Sequence, residues 1–274
     1  VAAVVTAALQ TPLSHVNVLS QQRGTPNMGL RGAEAAFAEH DGHWVRLRVQ
    51  AFTWSAEQVT QDEADEWWES HRPDPVTVRQ PDYSVTELRD VDDLDQGDVA
   101  FAGGKASNFG ELRDIPEIVV PDGFAIPVFY YRQFLEQNGL DTEIAAMLAD
   151  PDFLADGNVR RERLAALQET MRAAPVDAAF LAALTTRLNA EFGAVPLRFR
   201  SSPNAEDLAG FTGAGLYESK TGEVGNPARP IEDAMRAVWA SVWNVRAYEE
   251  RDYVSIVHTD VAMAMLVYPS YTDE

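Results

Sequence analysis

The sequence predicts a mixed α/β protein, α+β in its longer part, built as two units. Three observations carry this. Strand-length apolar runs alternate with stretches whose apolar residues recur at helical spacing, a proline-rich segment divides the chain near residues 72–82, and 274 residues suffice for two cores of ordinary domain size.

In order along the chain, residues 1–5 read as a buried strand, a helix starts near Ser14, and strands follow at 27–30 and, after the turn Asp41-Gly42, at 44–49. Residues 55–70 read as an acidic helix bearing Trp67 and Trp68. Arg72-Pro73-Asp74-Pro75 and Pro81-Asp82 then form an extended linker, because each proline turns its preceding neighbour away from the helical region, and a hinge belongs there. The boundaries are accordingly 1–54, a helix and linker over 55–85, and 86–274. The second unit opens with a glycine turn at Gly103-Gly104 and a turn and strand through Pro121-Asp122-Gly123-Phe124-Ala125-Ile126. Helices are expected over roughly 128–138, 158–173 and 176–192, and Leu197-Arg198-Phe199-Arg200 alternates apolar and basic faces as a strand. Pro230 suits a first helical turn, Glu232 and Asp233 suit its positive end, and Ile231, Met235, Val238, Trp239 and Val242 repeat at helical spacing, so this helix should pack on the core. Trp239 and Trp243, four apart, read as core packing.

The 22 basic and 43 acidic residues leave a net charge of −21, a field that repels nucleic acid and anionic membranes. A polyphosphate ligand would therefore have to be met by a local basic cluster and a metal ion. No cysteine is present, which excludes disulfides, thiolate nucleophiles and cysteine-bound zinc and fits a cytoplasmic protein. The apolar run Val1-Ala2-Ala3-Val4-Val5-Thr6-Ala7-Ala8-Leu9 is too short for a membrane span and lacks the basic flank of a signal peptide. The chain opens on Val1, and Pro269-Ser270-Tyr271-Thr272-Asp273-Glu274 follow an apolar strand directly, so both units are expected to be incomplete.

His15, in Leu13-Ser14-His15-Val16, heads the first helix. A neutral imidazole there is nucleophilic near pH 7, and free backbone N–H groups favour an incoming phosphate, while Ser14 can cap the helix; an isolated Ser-His pair can equally be plain capping. Gly103-Gly104-Lys105-Ala106-Ser107-Asn108 offers a turn, a cation and a helix start that together can hold a polyphosphate, or a solvated turn. It is not a Walker A loop, because Ala106, and not serine or threonine, follows the lysine. Arg200-Ser201-Ser202-Pro203-Asn204-Ala205-Glu206-Asp207-Leu208 puts an arginine at a strand end, where its fork can take phosphate oxygens while Glu206 or Asp207 orients it; the plainer reading is an Arg200–Asp207 salt bridge. Phe211-Thr212-Gly213-Ala214-Gly215-Leu216-Tyr217 suits a loop lying close over a ligand, or a hairpin turn. His40-Asp41-Gly42-His43 reads as a surface turn and not a metal pair, His71 falls in the linker, and His258 precedes the last strand.

Taken together, Gly103–Asn108, Pro121–Pro127, Arg200-Ser201-Ser202 with Ala205–Leu208, and Val238-Trp239-Ala240-Ser241 with Arg246-Ala247 resemble the ATP-binding domain of the pyruvate, phosphate dikinase and phosphoenolpyruvate synthase superfamily. Leu13–Val16 with Arg23-Gly24-Thr25-Pro26 resembles its swivelling phosphohistidine domain. The histidine unit precedes the nucleotide unit here, and Ala214–Ser219 and Val238–Asn244 are similar to the α-glucan, water dikinase branch. The chain departs from the pattern at Leu13, where phosphoenolpyruvate enzymes carry threonine, and at Leu216, where many relatives carry glutamine.

The resemblance implies an ATP-grasp-like nucleotide domain and an ATP-dependent phosphotransferase. Lys105, Arg200, Gly103, Gly104, Gly215 and, less directly, Arg246 would serve ATP and Mg2+, and His15 would carry the phosphoryl group on the linker to an acceptor while AMP and phosphate leave. The acceptor would be a glucan, pyruvate or another small molecule. The magnesium carboxylate and a final Gln-x-Arg strand are implied beyond Glu274, so no metal ligand is assigned. The other function class is a non-catalytic ATP-binding regulatory module.

Overall fold

The structure is a computed structural model of the chain. It describes residues 3–8, 11, 15–22, 24–50, 52–113, 115–206, 208, 210–213 and 215–270, with the side chains of His15, Val18, Leu19 and Gln22 outside that set. The chain divides into two compact units, Val1–Arg72 and Pro73–Glu274. Among the described residues no helix is long and apolar enough to cross a membrane.

In the first unit, strand β1 (Val4–Thr6) pairs in parallel with β2 (Asn27–Gly29), and the helix His15–Gln22 forms the crossover between them. Parallel neighbours cannot be joined by a tight turn, so this pairing requires such a connection. Asn17 ties the helix to the strand by accepting from Asn27 Nδ2 at 2.5 Å. After the short helix Ala33–Phe37, β3 (Val45–Val49) and β4 (Trp54–Gln58) form an antiparallel hairpin. The helix expected over 55–70 therefore begins only at Gln61 and runs to Ser70. Thr60 fixes that start, since its Oγ1 accepts from the Glu63 N–H at 3.2 Å while the Glu63 carboxylate accepts from the Thr60 N–H at 2.9 Å. Polar, exposed Ser55 and Glu57 concealed the strand, whose large apolar residue, Trp54, is stacked on Phe37 at 5.2 Å.

Residues 73–81, read from sequence as a linker, are extended but laid down on the second unit. Val76 donates its N–H to the Val254 carbonyl at 3.0 Å, Arg79 Nη1 donates to the Gly97 carbonyl at 3.1 Å, and Gln80 Nε2 donates to Asp260 at 2.8 Å. The prolines enforce extension, and the valines then have apolar surface to cover: Val78 is 5% exposed.

The second unit is organised on an antiparallel sheet of order β5 (Arg89–Asp90), β6 (Phe124–Ile126), β9 (Met263–Pro269), β7 (Pro196–Pro203), β8 (Lys220–Glu223). The middle strand β9 is buried from Met263 to Val267, as a strand covered on both faces must be. On one face lies the main core, where Phe199 and Leu197 meet Trp239, Trp243, Phe134 and Leu164. The helices expected from sequence on this side appear as Val128–Gln137, Gly157–Ala173, Ala178–Phe192 and Ile231–Ala240. Leu140–Leu148 and Pro151–Ala155 are additional to that expectation. The opposite face carries the helix Val99–Arg113, whose Ala102 and Ala106 pack with Leu266, Ala125, Val91 and Leu94.

Candidate functional site

The glycine turn is a break inside a helix rather than a free turn. Val99–Arg113 is interrupted at Gly103, which has φ 76° and ψ 168°. One hydroxyl bridges the break: Ser202 Oγ donates to the Ala102 carbonyl at 2.8 Å and accepts from the Ala106 N–H at 2.9 Å. The end of β7 thus caps both helical pieces, satisfying groups that the interruption would leave open. Gly104 is equally constrained by space, since a Cβ there would stand 3.2 Å from Glu206 Cβ. Ser107, part of the same motif, is fully buried and turned away from solvent.

Lys105 follows the break and pairs with Glu206, whose side chain is 3% exposed against 23% for the lysine. Sequence reasoning left Glu206 or Asp207 to orient Arg200; the structure pairs Glu206 with Lys105, because the loop after β7 returns beneath the restarted helix, and Asp207 lies outside the described residues. An ammonium has three N–H donors, so this pair leaves donors for a phosphate. Arg200 is half-buried on β7 and pairs across to Leu266, which places it on the sheet face that carries Val99–Arg113. Among the described residues its guanidinium has no hydrogen-bond or ion-pair partner; Asp207 lies outside them. A half-buried cation left in that state is poised for an anion.

The loop between β7 and β8 is held from the helix Val245–Tyr253. Arg246 Nη2 donates to the Gly215 carbonyl, and Asn244 Nδ2 donates to the Leu216 carbonyl at 2.6 Å while Asn244 Oδ1 caps the helix by accepting from Ala247 N–H. Gly215, at φ 69°, lies in the left-handed region that a side chain resists. Gly215 and Arg246 are thus brought together, with Arg246 as a brace of the loop. Ala214 lies outside the described residues.

Sequence reasoning missed Asn204, which is fully buried. Its Nδ2 donates to the carbonyls of Arg79 and Asp260, both at 2.8 Å, and its Oδ1 accepts from the Ala262 N–H at 2.8 Å. One side chain therefore clips residues 73–81 and the approach to β9 to the end of β7. The signal available was a polar residue directly after Pro203, too weak alone to name its partners.

His15 is the first residue of the helix His15–Gln22, as the capping argument required. Its side chain and the whole of Leu13 and Ser14 lie outside the described residues. His40 and His43 flank a turn with Gly42 at φ 72°, and no group of three metal-binding side chains occurs among the described residues. Glu206 pairs with Lys105, and among the described residues no cluster of carboxylates stands with it to hold a magnesium ion. His71 stacks on Trp67 at 4.2 Å. His258 is packed against Tyr248 at 4.0 Å, and burial, then the Arg251 and Arg160 cations, push its imidazole down to about 3.

Residues 99–269 match the family described as pyruvate phosphate dikinase, AMP/ATP-binding domain. The chain belongs to that family. The match spans Lys105, Arg200 and the braced glycine loop. The chain is 33% identical over 180 residues to a phosphoenolpyruvate synthase of Neisseria meningitidis serogroup B, covering 63% of this chain and 22% of that one. It is 29% identical over 178 residues to a probable phosphoenolpyruvate synthase of Archaeoglobus fulgidus, covering 64% and 23%. A rifampicin phosphotransferase of Streptomyces sviceus is 31% identical over 188 residues, covering 67% and 21%. The chain thus spans between a fifth and a quarter of the length of these relatives.

Proposed function

We propose that this chain is the nucleotide-binding and phosphohistidine-bearing part of an ATP-dependent dikinase-type phosphotransferase. The observation that carries the reading is Arg200: a half-buried residue whose guanidinium has no hydrogen-bond or ion-pair partner among the described residues, on the same sheet face as the Lys105 helix, inside a family of AMP/ATP-binding domains. Lys105 and Arg200 take the phosphates of ATP, and the rigid Gly103 break and the braced Gly215 loop let backbone approach them closely. Positioning and charge neutralisation supply most of the acceleration. His15 receives phosphoryl from ATP and passes it to an acceptor hydroxyl or enol oxygen; the other terminal phosphate leaves on water, and AMP remains. The phosphohistidine unit swivels about the junction near Arg72, since residues 73–81 are bound to the nucleotide unit. The acceptor is a small molecule, as the relatives' names favour, with a glucan as the alternative that the order of units favours.

The test is incubation of the full-length protein with ATP labelled at the β or γ phosphate, comparing wild type with His15→Ala. Acid-labile label on wild type alone is the expected result. Equal labelling of both proteins overturns the relay, and ATP binding with no label on either leaves a regulatory nucleotide module. Supplying pyruvate, rifampicin or glucan to labelled protein identifies the acceptor by which of them discharges it.

A further inference from the structure

At the outer edge of the sheet a cavity of about 890 Å³ opens beside β8, between the helix Ile231–Ala240 and the end of Gly157–Ala173. We propose that it is a second anion site, fitted to a small ligand carrying two adjoining phosphate groups. Four cations line it, Arg172, Arg198, Lys220 and Arg229, against two carboxylates, Glu218 and Asp233. Asp233 is engaged by Arg236, and Glu218 approaches Arg172 at 3.7 Å. The other three cations have no anionic partner: Arg198 Nη1 meets only the Thr221 hydroxyl at 3.3 Å, and the side chains of Lys220 and Arg229 have no hydrogen bond or ion pair to a described residue.

On a chain of net charge −21, three uncompensated cations gathered round one concavity run against the overall field. Their mutual repulsion becomes attraction once a group of two or three negative charges enters. The uncharged lining agrees. Ser219 Oγ accepts from the Ser201 N–H at 3.3 Å and so keeps its own hydrogen to donate, and Thr221 Oγ1 is in the same position beneath Arg198. The cations come from β7, β8, the turn before Ile231 and a separate helix, and a diphosphate, with oxygens on two phosphorus centres and more negative charge, can meet more of them at once than a single phosphate can. None of Lys105, Glu206 or Arg200 lines this cavity, so the inference does not rest on the nucleotide site proposed above.

Isothermal titration of the full chain with inorganic pyrophosphate reads the site directly. Wild type should bind, while Lys220→Ala/Arg229→Ala, which removes two exposed side chains without hydrogen-bond or ion-pair partners among the described residues, should bind at least tenfold more weakly at an unchanged melting temperature. Arg198→Ala should weaken binding in the same direction, and raised salt should weaken wild type. No binding to wild type overturns the inference, as does undiminished binding to the double variant. Equal affinity for inorganic phosphate overturns the diphosphate assignment.

Discussion

The Ser202 carbonyl oxygen occupies the space into which a side chain on Gly103 would have to project, 1.7 Å from where a Cβ would stand. Both atoms belong to backbone that is held, on one side by the sheet and on the other by the Ser202 hydroxyl bridge, so neither can swing aside. Gly103→Ala therefore combines a positive φ, worth about 1–2 kcal/mol, with a clash that forces helix from sheet, and a loss of about 4 kcal/mol or more is expected. Gly139 provides the control, since it has φ 68° but nothing within 4 Å of its Cβ position. Urea unfolding should show Gly139→Ala losing only about 1 kcal/mol. Equal losses at the two positions would mean that the Ser202 contact does not constrain the break.

Lys105 and Glu206 should be unequal partners in stability. Removing the lysine leaves a carboxylate that is 3% exposed without its cation, and breaking such a pair from one side costs about 3 kcal/mol. Lys105→Met with Glu206→Leu should recover much of that loss, because no buried charge then remains. A double-mutant cycle in denaturant checks this, and additive losses would show that the two residues do not act as a pair.

Much of the second unit was legible because its signals are periodic. Leu197 and Phe199 against Arg198 and Arg200 mark a strand with one core face, and Ile231, Met235, Val238 and Trp239 mark a helix seated on it; both are observed. What escaped were relationships carried by single polar atoms. Nothing in Gly-Gly-Lys says that the glycine sits within a helix, because the evidence for that is a hydroxyl 99 positions later, at Ser202, reaching the carbonyl of Ala102 and the N–H of Ala106. Glu206 and Asp207 were left as alternative partners for Arg200, since proximity in sequence cannot reveal that the loop folds back and pairs Glu206 with Lys105. The proline-rich stretch was read correctly as extended, but its attachment depends on Asn204, a contact 125 residues away.

Among the described residues Arg200 has no hydrogen-bond or ion-pair partner that its removal would strand, so Arg200→Ala should change unfolding free energy by no more than about 0.5 kcal/mol. Loss of one charged hydrogen-bond donor to phosphate, about 1.5–3 kcal/mol, should nonetheless weaken ATP at least tenfold. Equilibrium binding of a fluorescent ATP analogue alongside denaturation separates the two effects. Intact nucleotide affinity in the variant would remove Arg200 from the site.

Asn204→Ala strips partners from three backbone groups at once, the carbonyls of Arg79 and Asp260 and the N–H of Ala262. At about 1 kcal/mol or more for each buried group, the expected loss is at least about 3 kcal/mol. The damage should be local first: amides of residues 76–80 should lose hydrogen-exchange protection before the β7–β9 ladder does. Uniform loss of protection would show that the asparagine is a general core residue and not a clip for that segment.

His258 makes stability depend on pH with a definite sign. Its imidazole, at about 3 in the folded chain, stays neutral where the unfolded one, near 6.5, takes up a proton. The unfolded state therefore binds more protons between these values, so the contribution is complete above pH 6.5 and is lost as pH falls toward 3, at up to about 1.4 kcal/mol per pH unit. Between pH 7.5 and 5.0 this amounts to about 2 kcal/mol. The carboxylates of this acidic chain also respond in that range, so the comparison must be between proteins. His258→Gln keeps an acceptor for Arg251 Nε, which His258 Nδ1 meets at 3.3 Å, but has no proton to gain. Its unfolding free energy should therefore decline less steeply than that of wild type, by about 2 kcal/mol over the same interval. Parallel declines would show that the imidazole is charged inside the folded protein, beside the buried Arg251, and would contradict the packing against Tyr248 described above.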